Sequence, residues 1–486
     1  MLASEIYLLT PEISVCGLAL LLVILDLFVE RKWILVAVGA AGLAVPFGFA
    51  VALWGRQATG FNGMLVVDEF SLFFKFLFLG IALLVFLFSV DYVSKFRRFQ
   101  GEYYALVLLS VVGMMLMAGC RELISLYIAL ELASISLYAL VCFLKDTKSS
   151  EAGLKYLILG AIASAVLLYG MALVFGLTGT TNLEEIARLI PGGRIWDNPA
   201  LLLGIVFLIA GFGFKIASVP FQMWVPDVYE GAPTPITAYL SVASKAAGFA
   251  IILRVFLTAF GDPVHLATTD WAMIFAVLSA ITMTVGNVVA LVQSNIKRML
   301  GYSSIAHAGY IMVGLAAMGM AAGTDALGRS GVLFFLAAYA LANLGAFIAI
   351  IAISNKLDSD LIDDYSGMVR RAPWLAAILA LCLISLIGIP PTAGFMAKVY
   401  IFSAAVHHDL LWLVVIAVIN TAISAYYYLR VVKVMFLGEP RSLEGVPSSL
   451  PLRATLAVTA LGVLVLGIYP YLLLHFAELS ATMLLP

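Results

Sequence analysis

Charged residues are scarce in this sequence. Asp, Glu, Lys and Arg together make up 11% of its 486 residues, whereas an ordinary soluble domain contains about 25%. Hydrophobic residues make up 63%, and the mean hydropathy is +1.09. This composition excludes a soluble globular protein, because so much apolar surface needs lipid around it. It predicts an all-α polytopic membrane protein.

Cysteine is also rare, and neither sign of charge predominates. The four cysteines, Cys16, Cys120, Cys142 and Cys382, form no CxxC motif, which argues against a zinc site, an iron–sulfur site and a disulfide framework. With 27 basic and 28 acidic residues the net charge is −1, so no binding to nucleic acid is predicted. No nucleotide-binding fingerprint lies at a strand-to-helix turn. The chain is therefore predicted to hold no metal or cofactor and to have partners in the membrane.

Apolar runs long enough to cross a bilayer recur along the whole chain. A hydrocarbon core of roughly 30 Å needs about 20 mostly apolar residues in a helix, and polar interruptions divide the chain into fourteen such spans. These lie near residues 8–28, 33–53, 70–90, 102–119, 123–144, 153–177, 201–224, 235–260, 271–293, 299–321, 330–354, 373–403, 409–434 and 454–478. Thirteen is the alternative, because only residues 120–122 separate the fourth and fifth spans. The first basic residue, Arg31, follows the first span, so a cleavable signal peptide is not expected.

Lysine and arginine are distributed unevenly among the loops. If each loop takes the number of the span that precedes it, seventeen fall in odd-numbered loops and five in even-numbered loops. Cytoplasmic loops collect Lys and Arg, so both termini are predicted to lie on the outer side. The five remaining basic residues, Lys75, Lys215, Lys245, Arg254 and Lys398, fall inside spans. Lys75 and Arg254 lie nearer the span ends, where long side chains are expected to snorkel outward.

Two sets of five spans follow an initial three. Spans 4–8 and 9–13 each contain an odd number of helices, so the second set is expected to be inverted relative to the first. The fourth helix of each set combines Gly and Pro with a lysine, which predicts a broken helix at an ion path; a simple proline kink is the alternative. The interrupting residues are Gly211, Gly213 and Pro220 in one set and Gly388, Pro390, Pro391 and Gly394 in the other. The predicted divisions are a three-helix segment (1–101), a first repeat (102–260), an inverted second repeat (261–436) and a final loop and helix (437–486).

Four charged residues lie near the middle of predicted spans, namely Glu131, Lys215, Lys245 and Lys398. A central Lys or Asp costs about 2.5–3.5 kcal/mol on insertion scales, so such residues must be paired, hydrated or used. A buried lysine releases its proton readily, and a nearby carboxylate such as Glu131 raises its proton affinity. The four residues are therefore predicted to form a proton path. The alternative is a static buried ion pair between Glu131 and one lysine.

Of the five histidines, only His307 lies well inside a predicted span. A haem held by two axial histidines would need a second one facing it, so haem binding is not predicted. His307 lies in the segment GYSSIAHAGY, close to Ser303 and Ser304. Two interpretations stay open, a proton relay and a hydrogen-bonded packing residue.

Three segments of the chain resemble a known family. They are GFGFKIASVPFQMWVPDVYEGAPTPITAYLSVASKAAGFA, NIKRMLGYSSIAHAGYIMVG and DLIDDYSGMVRRAP. They look like the antiporter-like membrane subunits of proton-pumping NADH:quinone oxidoreductase, respiratory complex I. The resemblance extends over almost the whole chain. The same fold is shared by the large subunits of multisubunit cation/proton antiporters.

The resemblance implies a proton-translocating subunit of the membrane arm, coupled to quinone reduction elsewhere in the complex. NAD, FMN, iron–sulfur clusters and quinone would be bound by partner subunits. The partners would be antiporter-like and small membrane-arm subunits and the peripheral redox arm, in a bacterial inner membrane. A subunit of a cation/proton antiporter and a purely structural scaffold are the other two classes considered. A lysine-rich path favours protons, because sodium would favour carboxylate or carbonyl ligands.

The resemblance also implies roles for individual residues. The family's functional positions carry over to Glu131, Lys215, Lys245, Lys398 and His307. In the family mechanism the Glu131–Lys215 pair would open and close. This would shift the proton affinity of Lys245 and pass a proton towards Lys398 and the outer side.

Overall fold

Helices build nearly the whole chain, as the hydropathy pattern predicts. A computed structural model describes residues 2–93, 99–190, 193–261, 266–321, 326–440, 442 and 444–482. The helices are α1 Leu2–Leu8, α2 Thr10–Phe28, α3 Trp33–Gly42, α4 Ala44–Ala52, α5 Glu69–Phe88, α6 Val90–Val93, α7 Gln100–Gly119, α8 Leu123–Val141, α9 Thr147–Thr178, α10 Leu183–Leu189, α11 Pro199–Ile216, α12 Trp224–Gly231, α13 Thr234–Tyr239, α14 Lys245–Thr258, α15 Thr268–Ala290, α16 Ile296–Met320, α17 Ala326–Leu357, α18 Met368–Arg371, α19 Pro373–Ile387, α20 Ala393–His407, α21 Leu411–Leu437, α22 Leu450–Ile468 and α23 Tyr471–Thr482. A short hairpin pairs β1 Ala58–Gly60 with β2 Leu65–Val67 in antiparallel fashion.

Thirteen helical segments in the described chain are long and apolar enough to cross a membrane. In two of these segments a short irregularity joins two helices, at Leu43 between α3 and α4 and at the π-helical turn Leu240–Ser244 between α13 and α14. The remaining predicted span, the twelfth, consists of the two shorter helices α19 and α20. The fourth and fifth spans are separate helices, since α7 ends at Gly119 and α8 begins at Leu123. The predicted all-α polytopic fold is confirmed.

Both described chain ends lie on one face of the bundle, which we call the terminal face. Near the N-terminus the Glu5 carboxylate accepts a hydrogen bond from the backbone N–H of Phe61 in the hairpin loop. Near the C-terminus Thr482 and Thr59 line the same surface pocket. The even-numbered loops bridge to one another on this face, through the backbone pairs Leu65–Cys120, Glu122–Asn182 and Gly193–Leu266. Two ends on one face require an even number of crossings, as fourteen spans do.

The odd-numbered loops meet on the opposite face, which we call the basic face. Their contacts are the bridge Asn295–Leu361, the ion pairs of Asp227 with Lys155 and Arg298, and the hydrogen bonds Ser449–Asp91 and Ser366–Glu439. Four of the seventeen basic residues in the odd-numbered loops lie outside the described residues, namely Lys95, Arg97, Arg98 and Arg441. His265 lies outside them as well. The membrane sidedness of the two faces stays a prediction.

Both helices that were predicted to be broken are broken. α11 ends at Ile216, where Ala217 adopts a left-handed conformation (φ 63°), and the chain resumes as α12 at Trp224. α19 ends at Ile387 with Gly388 at φ 90°, and α20 starts at Ala393. The terminal span is also interrupted, between α22 and α23, and this break was not predicted. The division of the chain into two inverted repeats stays a prediction.

Three spans form the centre of the bundle. The apolar stretch of α13–α14 is buried throughout, and those of α16 and α17 are buried almost throughout. The spans formed by α2, α9 and α22 lie at the periphery, where about two thirds of the residues in their apolar stretches are half-buried or exposed, which suits contact with lipid. Polar groups on the central spans are therefore far from lipid and must be satisfied inside the protein.

Candidate functional site

Two of the predicted site residues approach each other where α8, α9 and α11 meet. Glu131 lies near the middle of α8, and its carboxylate accepts a hydrogen bond from the Ser164 hydroxyl on α9. Lys215 lies in the last turn of α11, and its Nζ donates to Oγ of Ser134, 2.7 Å away. Ser134 follows Glu131 by three residues, so the two share a face of α8. Two serines thus line the space between the carboxylate and the ammonium group.

The carboxylate of Glu131 and the ammonium group of Lys215 are not in direct contact. Among the described residues, no ion pair of 4 Å or less joins them, and their hydrogen bonds go to Ser164 and Ser134 instead. A small cavity of about 10 Å³ is lined by both serines and Lys215, which is about the volume that one water needs. Lys215 is buried, whereas Glu131 is half-buried. The structure therefore shows a separated pair, in which each charged group is hydrogen-bonded to a serine of its own, in place of a closed ion pair.

Lys245 lies at the centre of the bundle and directly follows an irregular turn. The π-helical turn Leu240–Ser244 ends one residue before it, and such insertions are frequent at functional sites. Its Nζ donates to the backbone carbonyl oxygen of Ser304 on α16. The Ser304 hydroxyl accepts a hydrogen bond from Tyr339 OH at 2.9 Å and lies 3.2 Å from Tyr229 OH. Lys245 is thus held by neutral groups, with hydroxyls close by.

His307 lies one helical turn beyond Ser304 on α16 and is buried. Its Nε2 is 3.4 Å from Tyr428 OH on α21, and Tyr428 in turn hydrogen-bonds to the Ser303 hydroxyl. Among the described residues, Nδ1 of His307 has no hydrogen-bond partner. One ring nitrogen is therefore bonded, and the other is left for a further partner.

Lys398 lies on α20, just beyond the break in the twelfth span. Its Nζ donates to the carbonyl oxygen of Ile387 at 2.7 Å and to the Thr421 hydroxyl at 3.1 Å. It also lies 4.4 Å from the centre of the Tyr310 ring, within range of a cation–π interaction. Ile387 is the last residue of α19, so the break itself supplies the carbonyl that binds the ammonium group.

One face of α16 connects the last three residues. Ser304, His307 and Tyr310 follow one another at three-residue spacing and share that face. At 1.5 Å per residue they cover about 9 Å along the helix. Lys245 contacts the first of them and Lys398 the last. Ser303 and Ser304 are close to His307 in sequence and could be identified from it, whereas the tyrosines on other helices could not.

Three of the titratable groups lie at similar depths. Glu131 is eight residues from the start of α8 and ten from its end. Lys245 is eleven residues from Thr234 and thirteen from Thr258 at the ends of its span, and His307 is equally central in α16. At 1.5 Å per residue, each lies about 12–20 Å from either end. Glu131, Lys245 and His307 therefore all lie near mid-depth in the bundle.

The expectation for Lys75 and Arg254 is wrong. Both are buried and neither snorkels to the surface. Lys75 forms an ion pair with buried Glu12 at 2.8 Å. Arg254 forms two hydrogen bonds to the Asp68 carboxylate, at 2.7 and 2.9 Å, and two more to the carbonyl oxygen of Ala118. Burial alone would raise the pKa of the Asp68 carboxyl, but the charge and hydrogen bonds of Arg254 hold it below its usual value.

The fold and these groups define a class of protein: an antiporter-like membrane subunit with broken helices and a line of buried lysines. The sequence model of the NADH:quinone oxidoreductase/Mrp antiporter transmembrane family matches residues 120–424. The chain belongs to this family. The family resemblance predicted from the three motifs is confirmed, and membership is consistent with a chain that holds no cofactor itself.

Curated relatives resemble the chain over its full length. A protein named NADH-quinone oxidoreductase subunit N from Dehalococcoides mccartyi is 50% identical, over 98% of this chain and 99% of its own length. A protein of the same name from Desulforamulus reducens is 44% identical over 98% of both chains. Within the family, the similarity is thus to subunit N.

Solved structures show the same fold. A chain of respiratory complex I from Thermus thermophilus is 32% identical, with a TM-score of 0.81 over 96% of this chain and 98% of that chain. A chain of the Mrp complex from Dietzia is 21% identical, with a TM-score of 0.85 over 99% of this chain and 97% of that chain. The second likeness shows the fold alone.

Proposed function

We propose that this protein is a proton-translocating membrane-arm subunit of an NADH:quinone oxidoreductase. The full-length similarity to proteins named subunit N supports this assignment. Its partners are the other membrane-arm subunits and a peripheral redox arm, and NAD, FMN, iron–sulfur clusters and quinone are bound there. The protein lies in a bacterial inner membrane with the basic face in the cytoplasm and both termini outside. The seventeen-to-five distribution of loop Lys and Arg supports this orientation.

One observation supports the proton path most strongly. Lys215, Lys245 and Lys398 are all buried, and each ammonium group is held by hydroxyl or carbonyl oxygens. A lysine held by neutral dipoles can lose its proton without leaving a buried carboxylate unpaired. A lysine in a tight ion pair cannot do so, because the remaining charge would be costly.

In the proposed sequence, a change at the half-buried Glu131 alters the electrostatic field at Lys215. Lys215 then changes the proton affinity of Lys245, since a nearby positive charge favours release of a proton. The proton passes along the α16 face by way of Ser304 and His307 to Lys398. Water supplies the steps for which no side chain is in reach. The division into a three-helix segment and two inverted repeats gives each repeat one broken helix with its lysine.

The test uses the assembled complex in sealed vesicles, with Lys245→Ala as the variant. Proton uptake driven by NADH oxidation should be lost while native gels show normal assembly. Lys433→Ala is the matched control, because Lys433 is an exposed lysine on the basic side of α21. Normal proton uptake in the Lys245 variant would contradict the proposed path.

The same vesicles distinguish the proton pump from a cation/proton antiporter subunit. Vesicles made with sodium, with potassium or with neither should take up protons at equal rates during NADH oxidation. Exchange of sodium for protons without any electron donor would instead identify an antiporter.

A further inference from the structure

A cleft opens on the basic face between α19 and α22. Its volume is about 470 Å³. The walls are mainly apolar and include Trp374, Leu375 and Ile378 from α19 and Leu456 and Ala457 from α22. Ile378 is five residues into α19 and Ala457 seven residues into α22. At 1.5 Å per residue the cleft enters the bilayer by about 7–10 Å.

The mouth of this cleft carries an arginine. Arg453 lines the cleft, and its Nε donates to the Ser448 hydroxyl at 2.9 Å. In the part of the chain that the structure describes, no carboxylate forms an ion pair with the Arg453 guanidinium. A second exposed arginine, Arg370, lies just before α19. Trp374 beside the mouth is 80% exposed, as is usual for tryptophan at a membrane–water interface.

We propose that this cleft binds an anionic phospholipid, with its phosphate on the Arg453 guanidinium and one acyl chain against the apolar walls. Guanidinium groups bind phosphate through paired hydrogen bonds, and basic pockets between helices on the cytoplasmic side recognise anionic head groups. A soluble anion would leave the apolar walls uncovered. A zwitterionic lipid would add its own cation beside Arg453.

The site borders the proton path through α19. The carbonyl oxygen of Ile387, at the far end of this helix, accepts the hydrogen bond from Lys398. The lipid would therefore pack against the half-helix that helps to position Lys398. Lipid binding in the cleft does not depend on proton pumping.

The test is photolabelling of the assembled complex in vesicles. The probes are phosphatidylglycerol and phosphatidylcholine that carry the same photoreactive acyl chain, and labelled peptides from α22 are counted. We expect phosphatidylglycerol to label this segment about fivefold more than phosphatidylcholine, the preference that one arginine near the surface gives. Arg453→Ala should remove the preference. Equal labelling by both lipids in the unaltered protein would overturn the proposal.

Two further variants test the cleft without changing its charge. Ala457→Trp fills the cleft from an exposed position and should abolish labelling by both lipids. Val458→Trp is the matched control, because Val458 is the next residue, is 54% exposed and does not line the cleft. Unchanged labelling with Ala457→Trp would refute binding in the cleft. Full competition by excess glycerol 3-phosphate would assign the site to a soluble phosphate instead.

Discussion

Replacing Glu131 by Gln together with Lys215 by Met should stop proton translocation but leave the complex assembled. Burying a lysine at a span centre costs about 2.5–3.5 kcal/mol. The hydrogen bond from the Lys215 ammonium to Ser134 returns about 1.5–3 kcal/mol. Methionine removes both contributions, so the net change in stability should lie between about 0.5 kcal/mol against the variant and about 2 kcal/mol in its favour. Removing both partners also avoids leaving one buried charge alone.

Proton transfer should respond very differently from assembly. A positioned proton-transfer group contributes about 10²–10⁴-fold to a rate, and other slow steps can hide part of that factor. Proton uptake should therefore fall by more than about tenfold. NADH:quinone turnover should fall with it, because a coupled machine cannot turn over without its proton step. The measurements are native gels, quinone reductase activity and acidification of the same vesicles.

The matched control applies the same chemistry to the buried pair Glu12–Lys75. Glu12→Gln with Lys75→Met removes a directly contacting pair with an N–O distance of 2.8 Å. If that pair only holds helices together, proton uptake per assembled complex should stay normal. Undiminished pumping in the Glu131/Lys215 variant would show that a structural pair has been mistaken for part of the path. Loss of pumping in the control alone would reverse the two assignments.

Three further predictions follow from the fold and composition. A reporter that is active only in the cytoplasm should give no signal when fused to the C-terminus, measured in intact cells. The purified chain should show no flavin, haem or cluster absorbance and should not oxidise NADH. Gly394→Val should reduce assembly on native gels, because a Cβ at Gly394 would overlap the carbonyl oxygen of Ser385. Gly17→Val should not, because nothing lies within 4 Å of a Cβ at Gly17.

The spans and the broken helices could be predicted because their signals are local in sequence. Hydropathy over about 20 residues identifies a span, and Pro and Gly act on their own turn of helix. The break at Gly388 and the lysine beyond it were predicted from such signals. The irregular turn before Lys245 was not predicted, because the segment Leu240–Ser244 contains neither Gly nor Pro. Its π-helical form depends on packing at the centre of the bundle.

The partners of the buried charges could not be predicted, because they are distant in sequence. Arg254 and Asp68 are 186 positions apart, and Lys75 and Glu12 lie on different spans. Position within a span predicts the cost of a charge but not what offsets that cost. Closeness to a span end therefore suggested snorkelling for Lys75 and Arg254, whereas the fold provides each with a carboxylate.

The five buried cations that lie inside the predicted spans fall into two groups according to what holds them. Lys75 and Arg254 are each bound by a carboxylate, which stabilises the charged form. The lysines of the proposed path are bound by hydroxyl or carbonyl oxygens, and in one case a break in a helix supplies the oxygen. Lys398 uses the last carbonyl of a broken helix, where the helix dipole favours a cation. Lys215 lies in the last turn before the other break. The broken helix thus provides Lys398 with a neutral partner, and a buried group that is held by neutral partners can gain and lose a proton without leaving a carboxylate unpaired.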